Sequence, residues 1–401
     1  MPRQRKILLV ATIFPWPPIG GALSKLFYLL REVNQHHEVD LLLFPREIPT
    51  EEQLAGLQPH CRKLEVIPFD PRMSKLRLLR YFLGSIPIAS RRYLDSPIRR
   101  ETERRLKTSD YDLLHVEGNI PGQSLYDLRF PKLIVPHDAY FRKFQSELPI
   151  LPPGKRPVYF WEMLKHRRHE PFLYSYFDVA SLCTEVDAQA LRRLNPSLET
   201  GVVSNGVTLE EWIPQPGAEE YPSLAFSGSY AYPPNEEAAR ILLAEVAPRL
   251  RQRYPELTVF VIGNRPTDKL KRLAAKHSRN VITGRVESVS EWIAKGSVYC
   301  SPLQQGTGFK NKVPEAWAME RPLVATPKTM EGIDFVPDRD ALVAESTEGI
   351  VNACDVLLRS KALRCRLGKA GRRRVEERYN WPLLAKDLLN LYEQVLEKHN
   401  H

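Results

Sequence analysis

Residues 301–332 read SPLQQGTGFKNKVPEAWAMERPLVATPKTMEG. Gly306 and Gly308 flank Thr307, Phe309 follows, Lys310 and Lys312 come next, and Pro314 with Glu315 reads as a helix start. A loop of this kind brings backbone N–H groups, two ammonium charges and the positive end of a helix dipole into one small volume, a setting that favours phosphate or pyrophosphate. Lysine at a helix N-terminus opposes the dipole unless an anion is present. Without one, the stretch is an ordinary strand-to-helix turn whose glycines satisfy backbone geometry and whose lysines are solvated. The two lysines favour a nucleotide or another phosphorylated ligand.

Other residue groups could also do chemistry. Gly20 and Gly21 close the turn after the first apolar run, where glycine lets the backbone approach a ligand and the following helix offers N–H groups to a phosphate or an acceptor. His137 in VPHDAY follows a strand end, where the sites of open α/β sheets collect. His115 and Glu117 in LLHVEG share that placement, and Glu117 reads equally as an acceptor contact or a loop residue. The triplets Asp110/Asp112 and Asp338/Asp340 have the spacing of a Mg or Mn pair, but one borders a strand and the other lies in a Pro/Arg turn, so both read as structural. His166 and His169 have helical spacing among Lys165, Arg167 and Arg168, which would repel a cation. No metal site is expected.

The elements that position these groups follow from periodicity. Strand-like apolar runs fall at 7–12, 39–44, 64–68, 113–117, 132–136, 179–182 and 201–203. After Pro222 the pattern restarts, with runs at 224–227, 257–262, 281–283, 298–301, 323–325 and 341–343. Strands alternating with longer helical patterns predict parallel sheets wound with helices, an α/β chain. The Pro/Glu/Gly-rich stretch 213–222 reads as a linker. A helix is predicted from Pro233, with Asn235 as its N-cap and Pro248 ending or kinking it.

Composition bounds the class. A chain of 401 residues, 43% hydrophobic and 26% charged, suits two globular domains. The five cysteines are scattered without a C-x-x-C pair and read as reduced core residues of a cytoplasmic protein. MPRQRKILLVATIFPWPP resembles a signal peptide at first sight, yet its apolar run is short and leads to a Gly-Gly turn, so a first β-strand is expected. Nowhere is an apolar stretch long enough to span a bilayer. The net charge of +10 is concentrated in 71–107, where eleven Lys/Arg stand against three acids with Leu76, Leu78, Leu79, Tyr81, Phe82, Leu83 and Ile86 between them. This reads either as helices with a solvated basic face or as peripheral contact with an anionic membrane at its inner face; no nucleic-acid motif accompanies it.

Several blocks in order resemble one family: PPIGGALSKLFYLL, YDLLHVEG, CTEVDAQAL, VVSNGVTLEEWIP, FSGSYAYPPNEEAA, VFVIGNRP, VITGRVESVSEWI, the 301–333 stretch, and YNWPLLAKDLLNLYEQVL. They are similar to the retaining glycosyltransferases of the GT-B fold, family 4, in the branch of bacterial exopolysaccharide sugar transferases. The resemblance implies two Rossmann-like domains with parallel sheets facing across a cleft, an acceptor-binding one over 1–205 and a nucleotide-sugar-binding one over 206–378. It also implies a C-terminal helix within 379–401 that crosses back to the first domain. The implied reaction moves a sugar from a nucleotide-diphosphate sugar, a co-substrate rather than a cofactor, to a hydroxyl of a glycan or lipid-linked acceptor. It proceeds with retention and without a metal, through front-face attack in which the departing phosphate helps take the acceptor proton.

By the same resemblance Glu315 contacts the nucleotide ribose, Lys310 and Lys312 lie near the diphosphate with the 306–309 loop, and His137 meets the donor sugar. Two departures are visible. Thr307 stands where many members place a second glutamate, eight positions before the ribose-binding one. The loop Gly228–Tyr232 lacks the Arg and Lys that many relatives use on the diphosphate, so that work falls on 306–312. A non-catalytic nucleotide-binding scaffold, and a nucleotide-sugar epimerase, are the rival readings.

Overall fold

The computed structural model describes residues 4–72 and 74–399. Residues 1–3 of the basic N-terminus, Met73 and the side chains of Lys75 and Arg77 lie outside what is described. The chain divides into two compact units, one running to Asn205 and resuming at Trp381, the other spanning Gly206–Asn380.

The first unit holds β1 Lys6–Ala11, β2 Glu38–Leu43, β3 Lys63–Val66, β4 Leu113–Glu117, β5 Lys132–His137, β6 Val179–Leu182 and β7 Thr200–Val202. They form one parallel sheet in the order β3-β2-β1-β4-β5-β6-β7. The second unit holds β8 Ser223–Ser227, β9 Thr258–Ile262, β10 Asn280–Ile282, β11 Val298–Ser301, β12 Leu323–Ala325 and β13 Leu342–Val343. Their order is β10-β9-β8-β11-β12-β13, again parallel throughout. Each strand-like run of the sequence is thus a strand, because a parallel strand covered on both faces must be apolar nearly throughout.

Alternation along β1 shows the two-sided burial directly. Ile7, Leu9 and Ala11 enter one core with the Gly21–Val33 helix, while Leu8 and Val10 enter the other with Leu114, Val116 and Ile134. The C-terminal helix Trp381–His399 closes the first of these cores with Trp381, Leu384, Leu388, Tyr392, Val395 and Leu396, and Trp381 stacks on Tyr28 with ring centroids 5.2 Å apart. The chain therefore returns to its first unit after completing the second.

Four local expectations need correction. Asn235 is not an N-cap: the helix Pro233–Ile241 is preceded by Tyr232, and Asn235 sits inside it, because the two prolines already supply the first turn. Pro248 does not end that helix. A π-turn at Leu242–Val246 carries it into Ala247–Arg251, the wider turn accommodating a residue that has no N–H to donate. The 213–222 stretch lies within the second unit and is no free linker; Glu220 N–H donates to the Lys295 carbonyl, Tyr221 Oη to the Leu358 carbonyl, and Glu219 pairs with Arg364. All five cysteines are free, yet Cys365 is exposed rather than in the core.

Candidate functional site

In the second unit the strand order reverses between β8 and β11, so the loops leaving those neighbouring strands diverge and leave a crevice at their carboxyl ends. The residues that follow β8 are Gly228–Tyr232; those that follow β11 contain Gly306–Lys310. Topology alone thus brings the Gly-rich segment beside the β8 turn.

The β8 turn is packed so closely that side chains are excluded. A Cβ on Gly228 would lie 2.7 Å from Asn235 Nδ2, and one on Gly263, whose φ is +133°, would lie 2.0 Å from the Gly228 carbonyl oxygen. Asn235 bridges the two loops: its Nδ2 donates to the Ser229 carbonyl at 3.0 Å, and its Oδ1 accepts from Lys312 Nζ at 2.6 Å. The Lys312 ammonium also lies 4.6 Å from the centroid of the Phe226 ring. Gly306 and Gly308 take φ of +110° and +72°, which glycine adopts without strain. Thr307 and Phe309 are half-buried beside them, with Phe309 packed on Tyr379 at 5.5 Å between centroids.

The helix starts at Lys312, two residues earlier than the Pro314 start read from the sequence, so Lys312 lies in the first turn and Glu315 one residue beyond its third position. Lys310 is buried and its Nζ donates to the Gly308 carbonyl at 2.6 Å. That bond braces the loop and leaves Lys310 close enough for its charge to act on Lys312.

Lys312 and Glu315 are half-buried neighbours with displaced proton affinities. Burial draws Lys312 down to about 7, with Glu315 opposing the shift and Lys310 adding to it. Burial pushes Glu315 up to about 7, with Lys312 opposing. Neither charge is well solvated, and both are only partly compensated by each other. An anion laid against Lys312 would restore its full charge, and a hydroxyl donor would do the same for the Glu315 carboxylate. Asn235 and Phe226 were not read from the sequence as site residues. The Pro-Pro-Asn after a strand was the available signal, but it has the form of a cap.

The first unit repeats the topology, with its reversal between β1 and β4. Gly20 precedes the Gly21–Val33 helix with φ of +96°, and Gly118 precedes the Asn119–Leu125 helix with φ of +92°; a Cβ on either would meet nothing within 4 Å. Backbone conformation, not crowding, selects glycine at both turns. His137 ends β5 at φ of +68°, a strained value for a residue with a side chain. Its Nε2 lies 2.7 Å from Glu117 Oε1, while Glu117 Oε2 lies 2.9 Å from His115 Nε2. Both oxygens of Glu117 are engaged and the residue is 4% exposed, so it is not placed to bind an acceptor as one sequence reading had it.

The groups set aside as structural have structural partners. Asp112 accepts from the Lys6 N–H at 2.8 Å and faces Arg5, whereas Asp340 is buried against Arg339 and Arg374. His166 bonds Glu170 at 2.7 Å, and His169 bonds Gln123. In the basic run, Arg99 pairs with Glu103 and Asp127, Arg100 and Arg104 with Glu101, and Arg105 with Glu65, so each arginine of the Ile98–Thr108 helix has an acidic partner within the helix or beside it.

Residues 221–360 match the family described as glycosyl transferases group 1. The chain is 24% identical over 317 residues to the phosphatidyl-myo-inositol mannosyltransferase of Mycobacterium tuberculosis, covering 74% of this chain and 77% of that protein. It is 27% identical over 313 residues to the enzyme of the same name from Mycolicibacterium smegmatis, covering 74% of each. Among solved structures, sucrose-phosphate synthase from Thermosynechococcus elongatus superposes with a TM-score of 0.73 at 17% identity, covering 99% of this chain and 100% of that one. Anabaena HepE in complex with UDP-glucose does so with a TM-score of 0.67 at 14% identity, covering 97% and 100%. With its two parallel sheets and its returning helix, the chain has the GT-B fold of these structures, and it is a glycosyltransferase.

Proposed function

We propose that the protein transfers a sugar from a nucleotide-diphosphate donor to a hydroxyl of a glycan or lipid-linked acceptor, with retention and without a metal. The observation that carries this is the Lys312–Asn235 bridge at the β8/β11 reversal, beside a glycine loop and within reach of Glu315. Lys312 lies against the diphosphate and stabilises the charge that develops as it leaves, which does the work a divalent cation does elsewhere. Glu315 accepts from the ribose hydroxyls, and the 306–309 backbone closes on the phosphates. Gly20 and Gly21 serve the donor phosphate or the acceptor, and His137 contacts the transferred sugar. The leaving phosphate helps remove the acceptor proton on the face it vacates. Similarity to HepE, solved with UDP-glucose, and to mannosyltransferases named for a phosphatidyl-inositol acceptor supports a nucleotide-sugar donor and leaves a lipid-linked acceptor the favoured class.

A thermal-shift panel of UDP-, GDP-, ADP- and dTDP-sugars should single out one base, and Glu315→Ala should remove most of that ligand's shift. Transfer or donor hydrolysis by the purified protein separates an enzyme from a nucleotide-binding scaffold. Intact shifts in both Glu315→Ala and Lys312→Ala would show the donor to bind elsewhere.

Peripheral membrane contact belongs to the same reading. Among the described residues no helix is long and apolar enough to cross a membrane. The Lys75–Phe82 helix nevertheless exposes Leu76 and Leu79, with Leu83 beyond its end and Arg80 beside them. Trp161, half-exposed on the Arg156–Tyr174 helix beside exposed Phe160, donates Nε1–H to the Phe82 carbonyl at 2.7 Å and so joins this apolar face to the first. Vesicles containing phosphatidylglycerol should carry the protein upward in a flotation gradient at low salt, and the paired change Leu79→Glu with Leu83→Glu should leave it at the bottom. Equal flotation of the variant would remove the membrane from the reading.

A further inference from the structure

Five polar side chains cross the core of the first unit in a single hydrogen-bonded line. Tyr392 Oη, on the returning helix, lies 2.6 Å from His115 Nδ1; His115 Nε2 lies 2.9 Å from Glu117 Oε2; Glu117 Oε1 lies 2.7 Å from His137 Nε2. The His137 ring also hydrogen-bonds the Cys183 side chain, which accepts from Lys25 Nζ at 3.2 Å and contacts Asn205 Oδ1 at 3.5 Å. His115, Glu117 and Tyr392 are each under 5% exposed, and such groups are seldom buried without a use that outweighs their desolvation.

The direction of the line follows from its chemistry. A carboxylate only accepts, so both histidines present Nε2–H to Glu117, and His115 Nδ1 is left to accept from the Tyr392 hydroxyl. Burial raises the Tyr392 phenol well above its ordinary value, which keeps it a neutral donor. At the other end the ring of His137, held at a strained φ, lies against the Cys183 thiol. Sulfur is a weak acceptor, so the ring would exchange it readily for a hydroxyl oxygen.

We propose that Glu117, tied through His115 to the Tyr392 hydroxyl of the returning helix, is the positioning residue that holds the His137 ring for the transferred sugar. The proposal rests on the reading of His137 as a donor-sugar contact. Burial opposes protonation of His137 but the Glu117 charge outweighs it, raising the ring to about 10, with Cys183 acting in the same direction. The other titratable groups around the ring are His115 and Tyr392 behind Glu117, Lys25 behind Cys183, and Asp138 with Tyr140 on the segment that follows β5. Two charged states of opposite sign, His137 and Glu117, thus support one another in a core that would reject either alone.

The test uses the full chain. Ring nitrogen resonances of the 15N-histidine-labelled protein, with His137 assigned from a His137→Gln sample, should show it doubly protonated well above pH 7. In Glu117→Gln its titration should fall toward neutrality, with a kcat for donor hydrolysis about ten-fold lower, little change in KM, and loss of activity above neutral pH that the parent does not show. Tyr392→Phe, which removes one hydroxyl at the far end of the line, should shift the same quantities in the same direction by about two- to three-fold. The proposal is overturned if His137→Gln is inactive while Glu117→Gln keeps both the His137 titration and kcat. Full activity in His137→Gln would instead sink the site reading on which the proposal stands, and the proposal with it.

Discussion

Lys312→Met should raise the melting temperature of the ligand-free protein at pH 7 by about 2–4 °C and abolish the shift produced by its nucleotide diphosphate. The two effects share one cause. In the fold Lys312 titrates at about 7 because burial penalises its charge, while the unfolded chain keeps the proton to the ordinary lysine value of 10.5. Between those values the unfolded chain binds more protons, so stability climbs with pH there, and the penalty stands in full below about 7. Glu315 works with the opposite sign: its folded value of about 7 lies above the ordinary 4.5, so its penalty is absent below that window and complete above it. The two costs overlap most near neutrality.

Methionine keeps the apolar stem against Phe226 and removes the charge, so the gain should shrink as the pH is raised from 7 and vanish above the ordinary lysine value of 10.5, where the wild-type lysine is neutral in both states. A diphosphate satisfies the ammonium in the wild type and finds nothing to satisfy in the variant. Donor turnover should fall by about 10²-fold or more. Differential scanning fluorimetry across pH, with and without the selected nucleotide, reads all of this. A variant that is destabilised at pH 7 and still shifts with nucleotide would show Lys312 to be a structural residue.

Truncation after Asn380 should unfold the first unit and spare the second. The removed helix buries Trp381, Leu384, Leu388, Tyr392, Val395 and Leu396 against the Gly21–Val33 helix and the sheet. At about 1.5–3 kcal/mol for each buried side chain, the loss is on the order of 10 kcal/mol. That is comparable with the whole stability of a domain, about 5–15 kcal/mol. The second unit ends before the cut and keeps its Val207–Asn380 bridge. Calorimetry of the full chain and the truncated one should therefore show a lost transition and a retained one, and sugar transfer should disappear with the first. Two undiminished transitions in the truncated protein would mean that the returning helix contributes little to the core.

The central strands were readable because they are buried on both faces, and that demand leaves a nearly uninterrupted apolar run bounded by turns; the edge strands β3, β7, β10 and β13 are only half-buried. The Trp381 helix and its return were implied by the resemblance carried by YNWPLLAKDLLNLYEQVL. The glycine loop was readable because positive φ selects Gly306 and Gly308 whatever surrounds them. Asn235 was misread for a related reason: capping is a local signal, and its local setting, after two prolines, satisfied it. Its bond to Lys312 reaches across 77 positions and exists only because β8 and β11 are neighbours. The bond from the Lys310 ammonium to the Gly308 carbonyl was likewise not legible, since it depends on how the loop folds back on itself.

By itself the sequence determined the α/β class, the positions of thirteen strands and the glycine turn at 306–308. These depend on apolar periodicity and on backbone angles, both of which are written within a few neighbouring residues. Only the tertiary structure decided which polar side chains meet: Lys312 with Asn235, and Tyr392 with His115 across 277 positions. Hydrogen-bond partners are chosen by proximity after strand order and crossover have been set, and no local pattern encodes that proximity.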